Sequence, residues 1–242
     1  MKNNLPFINV YNKKNIKSEV VTQLLYGDLF KKIKNDGTWI KIKNELDNYK
    51  GFIKKKKFSI KQKNTHKVFT LSAQLYSKPG KKGKKKISFG SLIKVTDKKK
   101  KFYKFDNFWI KKDNLKSIKF YNSNIFKDVK KFINVKYKWG GKHYNGLDCS
   151  ALIQLCLNFN NQFCPRDTKD QIKYFKRKIS LKNIKKNDLI FWKGHVALAI
   201  SKKKLIHAYG PLKKTMEMSI KKAVNRIKKT ANLDVVGIRR IN

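Results

Sequence analysis

Cys149 stands at the head of an apolar run, directly after a cluster of turn residues, and two histidines follow it far downstream. The stretch reads Tyr137-Lys-Trp139-Gly140-Gly141-Lys-His-Tyr-Asn-Gly146-Leu-Asp148-Cys149-Ser150-Ala-Leu-Ile-Gln. The histidines are His195, in "WKGHVALAI", and His207, in "KKLIHAYG". A thiol at a helix N-terminus lies beside unpaired backbone N–H groups and the positive end of the helix dipole, and both favour the thiolate. An imidazole on a neighbouring element can exchange its proton with that thiol, and a further polar group can hold the imidazole in orientation. The pattern is that of a cysteine hydrolase.

The other cysteines do not extend the site. Three cysteines is a low, odd number and argues against a disulfide framework. Cys156 lies two helical turns beyond Cys149, and Cys164 precedes Pro165; both read as buried thiols. A zinc site from Cys149, Cys164, His195 and His207 has no short C-x-x-C or H-x-x-x-H pair behind it, so no metal and no cofactor are expected.

The elements that must position this chemistry fall into two kinds. Residues 1–118 carry short period-two alternations between Lys, Asn, Gly and Asp breakers, among them "LFKKIK", "TWIKIK", "KVFTL", "SLIKVT", "KFYKFD" and "FWIKK". "YGDLFKKIKNDGTWIKIKN" aligns with "FGSLIKVTDKKKKFYKFDN", and each unit closes on an aromatic-Ile-Lys-Lys strand. Two small β-barrels follow, at residues 1–60 and 66–118, joined by the polar segment Ser59–Lys67. The Lys78–Lys86 run, with Pro79, Gly80 and Gly83, reads as a loop tip of the second.

Beyond residue 120 the period changes. "NSNIFKDVKKFIN" has helical spacing, with Asn122, Ser123 or Asn124 as cap. "CSALIQLCLNFN" is apolar on most faces and reads as a buried helix, and "DTKDQIKYFKRK" as a shorter one. The strands "DLIFWK", "HVALAIS", "KLIHAYG" and "DVVGIRRI" come after them. The fold class is α+β, with helices on one side of an antiparallel sheet.

These blocks carry a resemblance. Tyr-x-Trp-Gly-Gly at 137–141, Gly-x-Asp-Cys-Ser at 146–150, Gly-His-Val at 194–196 and Ile-His-Ala at 206–208 resemble the NlpC-type papain-like cysteine peptidases, which cut bacterial cell-wall peptides. The resemblance covers residues 120–242. With the two barrels taken as SH3-like, and with "VVTQLLYGD" and "CPRDTKDQ", it extends to the subgroup that recycles murein peptides in the cytoplasm. It implies a papain-like catalytic domain behind two SH3-like barrels, with Cys149 as nucleophile, His195 as general base and then acid, and His207 as the orienting third member. It further implies that Tyr137 contacts the substrate or assists the oxyanion, and that Asp148, Ser150 and Glu19 receive a free N-terminal amine. Arg166, Asp167 and Thr168 match a second substrate-side motif. Asp148 reads equally as a helix N-cap, and Arg166-Asp167 as a local ion pair. Two departures stand out: Ala151 where the family usually has Gly, and Phe52 where the subgroup often has a Tyr facing the amine pocket.

The implied reaction is hydrolysis of the γ-D-glutamyl–diamino acid bond in a murein tripeptide or tetrapeptide with a free N-terminal L-Ala. Two other readings stay open: a hydrolase of polymeric wall, and a basic binding protein with a vestigial site. The net charge of +46 would suit a nucleic-acid partner, but only five of the 61 basic residues are arginine. Lysine is spread from end to end, which points to a solvated surface with loose polyanion binding rather than a specific nucleic-acid reader. There is no run of 18 apolar residues and no signal-like leader, so the expected location is cytoplasmic and no membrane partner is expected.

Overall fold

The computed structural model describes residues 1–241. Strands β1 (Phe7–Tyr11), β2 (Val20–Leu25), β3 (Phe30–Asp36), β4 (Trp39–Asn44) and β5 (Lys50–Lys54) form an antiparallel sheet in the order β2-β1-β5-β4-β3. After β6 (His66–Val68) come β7 (Ser72–Lys78), β8 (Lys81–Ser88), β9 (Leu92–Ile93), β10 (Asp97–Lys99), β11 (Phe102–Phe105), β12 (Phe108–Lys111) and β13 (Leu115–Ser117). Five of these form a second sheet in the order β10-β11-β12-β7-β8, and β13-β6-β9 form a small third one. Read from its other edge, the second sheet repeats the strand order of the first, so the internal repeat seen in the sequence is a repeat of topology.

Two expectations are corrected here. Among the described residues no pairing joins the outer strands of either five-stranded sheet, so both are open sheets and not closed barrels. The lysine run 81–86 is not a loop tip but part of β8. Pro79 and Gly80 alone make the turn, with Lys78 paired to Lys81 and Gly80 at φ +86°. Proline followed by a positive-φ glycine satisfies a two-residue turn, and the lysines beyond it pair as an edge strand facing solvent.

The second half is built on one sheet. The hairpin β14 (Lys142–His143) and β15 (Gly146–Leu147) leads into α1 (Cys149–Phe159) and α2 (Thr168–Tyr174). β16 (Arg177–Lys178), β17 (Asp188–Trp192), β18 (His195–Ala199), β19 (Lys204–Tyr209), β20 (Lys214–Ser219) and β21 (Val235–Arg240) form an antiparallel sheet in the order β16-β21-β17-β18-β19-β20. The central strands are apolar on both faces because both are covered. Leu189, Phe191, Val196, Leu198, Ile206 and Ala208 pack with α1, whereas Ile190, Trp192, Ala197, Ala199 and Leu205 pack with Ile220, Ala223 and Ile227 of α3 (Ile220–Ala231). The helices therefore lie on both sides of the sheet and not on one. The segment "NSNIFKDVKKFIN" forms turns and one 3-10 turn at Val129–Phe132 instead of an α-helix. Its polar groups are drawn elsewhere: Asn122 donates to Asp128 at 2.9 Å, and the Ile125 carbonyl accepts from Asn160 at 2.9 Å.

The sheets meet at α1. Leu25 and Phe89, from equivalent turns of the first and second sheets, belong to the same buried cluster as Leu155 and Phe159. The carbonyl ends of α1 are closed by Lys67 of β6, whose buried ammonium donates to Phe159 O, Phe120 O and Asn161 Oδ1. A cation there opposes the negative end of the helix dipole. Each docking turn contains a positive-φ glycine, Gly27 at +85° and Gly90 at +81°. A Cβ on Gly27 would run into the backbone carbonyl of Leu92, whereas one on Gly90 would meet the Leu155 Cδ2 methyl at 3.4 Å and the Leu25 Cδ1 methyl at 3.9 Å. Gly90→Ala should therefore lose roughly 1–2 kcal/mol, the left-handed backbone strain alone. Gly27→Ala should lose more, because the collision adds to the same strain. Urea unfolding of the two variants tests this order.

Candidate active site

Asp148 sets the head of α1. Its Oδ1 accepts from the Ala151 N–H at 2.8 Å and from the Ser150 hydroxyl at 3.1 Å, the side-chain cap that starts the helix. Its Oδ2 accepts from Gly140 N–H at 3.0 Å. Arg166 then closes on both oxygens, Nη1 to Oδ1 at 3.0 Å and Nη2 to Oδ2 at 2.6 Å. The same guanidinium donates to Ser150 Oγ at 2.8 Å and, through Nε, to Thr22 Oγ1 of β2 at 2.8 Å. Burial pulls the Arg166 pKa down, but the charge and hydrogen bonds of the Asp148 carboxylate outweigh it and leave the guanidinium above its ordinary value. Asp148 is thus both the cap and a carboxylate already paired, and the partner of Arg166 is Asp148 rather than its neighbour Asp167.

Cys149 is the first residue of α1 and is buried. Burial pushes its thiol up to about 12, and the Asp148 charge adds to the rise; backbone N–H groups of Val196 and Ser150, with Arg166, oppose it. The helix tip alone does not make a resting thiolate here. The thiol faces the carbonyl of Gly194 at 4.0 Å, in the tight turn between β17 and β18. His195 opens β18 directly after that turn, and its Nε2 lies 3.0 Å from Nδ1 of His207 on β19. No hydrogen bond joins Cys149 to His195 in this structure. Desolvation holds His195 at about 4 and His207 at about 3. The resting pair is accordingly a neutral thiol beside a neutral imidazole.

The arrangement dictates the tautomers needed for proton transfer. With Nε2 of His195 engaged by His207, Nδ1 is the nitrogen free to take the thiol proton. Nε2–H of His195 must then donate to Nδ1 of His207, which leaves the His207 proton on its own Nε2. That atom is buried without a hydrogen-bond partner, and the ring is held by Tyr209, stacked at 4.7 Å and 7°. The Cys149 N–H, at the open tip of α1, is the donor best placed for an oxyanion. Tyr137 is half-buried against Gly210, near enough to Cys149 for the thiolate charge to add to the upward push that burial gives its phenol.

A cleft of about 490 Å³ opens over the sulfur. Its lining includes Glu19, Tyr49, Trp139, Asp148, Cys149, Ser150, Arg166, Asp167, Thr168, Lys169 and Gly194. Glu19 reaches it from the first sheet and accepts from the Trp139 indole N–H at 2.5 Å. Asp167, at the N-cap position of α2, makes no capping bond; its Oδ2 accepts from the Tyr49 hydroxyl at 3.1 Å. Of the residues singled out in the sequence, Cys149, Asp148, Ser150, Arg166, Asp167, Thr168 and Glu19 therefore share one cleft, with His195 and His207 paired beside it. Phe52 is not among the lining residues; it faces Tyr11 across the sheet with Lys41 over its ring. The phenol from that part of the first sheet is Tyr49, which sequence reasoning missed. Its only signal was position, in the turn just before β5.

Residues 134–231 match the family profile described as NlpC/P60 family. Dipeptidyl-peptidase 6 of Lysinibacillus sphaericus is 31% identical over 88 residues, 36% of this chain and 32% of that protein. The probable endopeptidase NlpC homolog of Haemophilus influenzae is 34% identical over 82 residues, 32% of this chain and 43% of that protein. The matches thus span less than half of either relative. A crystal structure of an NlpC/P60 family protein from Bacillus cereus superposes with a TM-score of 0.83 at 17% identity, covering 99% of this chain and 98% of that one. An NlpC/P60 endopeptidase from Photobacterium damselae gives 0.67 at 13% identity, covering 96% and 69%. These two share the fold.

Two outcomes are expected. Asp148→Asn removes the charge that neutralises buried Arg166, and should destabilise the protein by roughly 3–5 kcal/mol in urea titrations, as breaking a buried pair does. The second concerns acid. His143, His195 and His207 are all held below their ordinary value by burial, the first two at about 4 and the last at about 3. Between pH 6.5 and 4 the unfolded chain binds protons that the folded chain refuses, so stability is full above 6.5 and falls as pH drops. The melting temperature should decline across that window, measured by circular dichroism at constant ionic strength.

Proposed function

We propose that the protein is a cysteine endopeptidase that hydrolyses the γ-D-glutamyl–diamino acid bond of short murein peptides with a free N-terminal L-Ala. The observation that carries this is the cleft over Cys149, into which the first sheet sends Glu19 and Tyr49. Three of the 15 acidic residues of the chain, Glu19, Asp148 and Asp167, line it, against only Arg166 and Lys169. Arg166 is consumed by Asp148, so the carboxylates left to meet a substrate ammonium are Glu19 and Asp167. In this reading His195 takes the thiol proton as Cys149 attacks the amide carbon, and returns it to the leaving amine. Water then attacks the thioester, and its proton passes to His195 as the thiol is released.

The first sheet walls one end of the cleft, which favours a free peptide over polymeric, cross-linked wall. We read the two N-terminal sheets as SH3-like modules because they share one strand order, with units at 1–60, 66–118 and 120–242. Action on free, short peptides would fit a cytoplasmic site.

The test is cleavage of L-Ala-γ-D-Glu-diaminopimelate and its N-acetylated form by the wild type and Cys149→Ala. The expected result is release of L-Ala-D-Glu from the free tripeptide only, with loss of at least a thousandfold in the variant. Equal cutting of the acetylated peptide would remove the amine-recognition part and point to wall remodelling. No cutting of either would overturn the proposal.

A further inference from the structure

A second cavity, of about 270 Å³, lies where the two N-terminal sheets meet the far end of α1. It shares no lining residue with the cleft over Cys149. Leu155, Asn158 and Phe159 of α1 line it, and at ~1.5 Å per residue Asn158 is about 14 Å along the helix from Cys149. Its walls are mostly apolar, with Leu25, Leu92 and Ile118 facing Leu155 and Phe159. Exposed Leu46 and Phe163 belong to the same lining and mark where it meets solvent.

Two polar side chains inside this apolar chamber, Lys142 and Asn158, lack hydrogen bonds. Lys142 is 1% exposed, and its ammonium makes no hydrogen bond. It forms a long ion pair with Asp28, whose Oδ2 is 3.8 Å away, beyond hydrogen-bond range, and that oxygen already accepts from the Leu25 N–H at 2.8 Å. Both side-chain amide atoms of Asn158 are buried and unpartnered as well. Lys67, also in the wall, is different, because its three donors meet three acceptors. The chamber thus holds two ammonium groups against one carboxylate, and offers donors from Lys142 and Asn158 with nothing to receive them. A buried donor without a hydrogen bond is costly, so the arrangement calls for an acceptor.

We propose that this cavity binds a small monocarboxylate with an apolar body, its carboxylate accepting from Lys142 Nζ and Asn158 Nδ2 and its body lying against Leu155 and Phe159. The absence of arginine from the wall and its apolar lining favour a carboxylate over a phosphate. The site adjoins the catalytic machinery through the backbone: the Lys142 N–H donates to Gln23 Oε1 at 2.7 Å, and Gly141 before it lends its carbonyl to the Asp148 N–H at 3.3 Å. The inference is independent of the peptidase reading.

The test is calorimetric titration of the full chain carrying Cys149→Ala with 3-phenylpropionate and with its uncharged amide. The expected result is saturable one-to-one binding of the acid, at least tenfold weaker binding of the amide, and at least a tenfold loss in Lys142→Met. Asn158→Leu should weaken binding severalfold and serves as the deciding variant if Lys142→Met does not fold. No saturable binding at millimolar acid means a chamber filled by solvent and overturns the proposal. So does undiminished binding in a folded Lys142→Met or Asn158→Leu protein.

Discussion

The buried Asp148–Arg166 pair is the constraint on which the site depends. One guanidinium joins the cap of α1, the Ser150 hydroxyl, the Gly141 carbonyl and Thr22 of the first sheet. An ion pair out of water is stable only when its geometry is bidentate and the remaining donors are satisfied, and here they are. Because the partners come from three separate segments, the pair fixes the direction of α1, the position of the Gly140-Gly141 turn and the seat of β2 together. Cys149 sits one residue from its centre, so its placement follows from electrostatics laid down outside the hairpin that carries His195. Gly140 belongs to the same construction: at φ +68° its Cα faces the Val20 backbone with no room for a Cβ.

The price of that placement is a hard-to-ionise thiol. The helix tip, with the N–H groups of Ser150 and Val196, favours the thiolate, but burial and the adjacent carboxylate outweigh them. A neutral thiol beside a neutral imidazole suits general-base attack, in which charge is created only as the bond forms and the Cys149 N–H is ready to receive it. The His195–His207 contact then has a directional role. It commits Nε2 of His195 to a hydrogen bond and leaves Nδ1 for the sulfur, while Tyr209 stacked on His207 keeps that ring in plane.

Much of this was legible in the chain. Cys149, His195 and His207 declared themselves because their neighbours are unambiguous: turn residues before the first, unbroken β-branched or small apolar runs around the others. The repeat was legible because Gly27 and Gly90 are obliged by positive φ and recur at the same offset. What stayed hidden was decided by tertiary contacts. β20 and α3 were missed because Lys214–Ala231 is rich in lysine and its apolar side chains find their partners only on the sheet's second face. The Ile125–Phe132 spacing suggested a helix, yet asparagine side chains and the seat on α1 bend it into turns. The openness of the N-terminal sheets could not be read from alternation, since period two is the same in a sheet and a barrel. Tyr49 was out of reach because its partner, Asp167, lies 118 residues away.

The distribution of charge separates what composition imposes from what the site requires. With a net charge of +46, a cleft lined at random would be lysine-rich. The cleft over Cys149 instead has Lys169 as its single lysine beside three carboxylates, and its one arginine is held by Asp148. The chamber at the other end of α1 has the opposite balance, two ammonium groups to one carboxylate, and there one of the lysines is left without a hydrogen bond. Lysines on the outer strands, such as Lys31, Lys32 and Lys34 of β3, are solvated and tolerate any neighbour. Burying an ammonium is costly, so a lysine enclosed as fully as Lys142 reflects the needs of its surroundings and not the abundance of lysine in the chain. The two enclosures on α1 thus differ in sign: carboxylates outnumber cations in the lining of one, and ammonium groups outnumber carboxylates in the other.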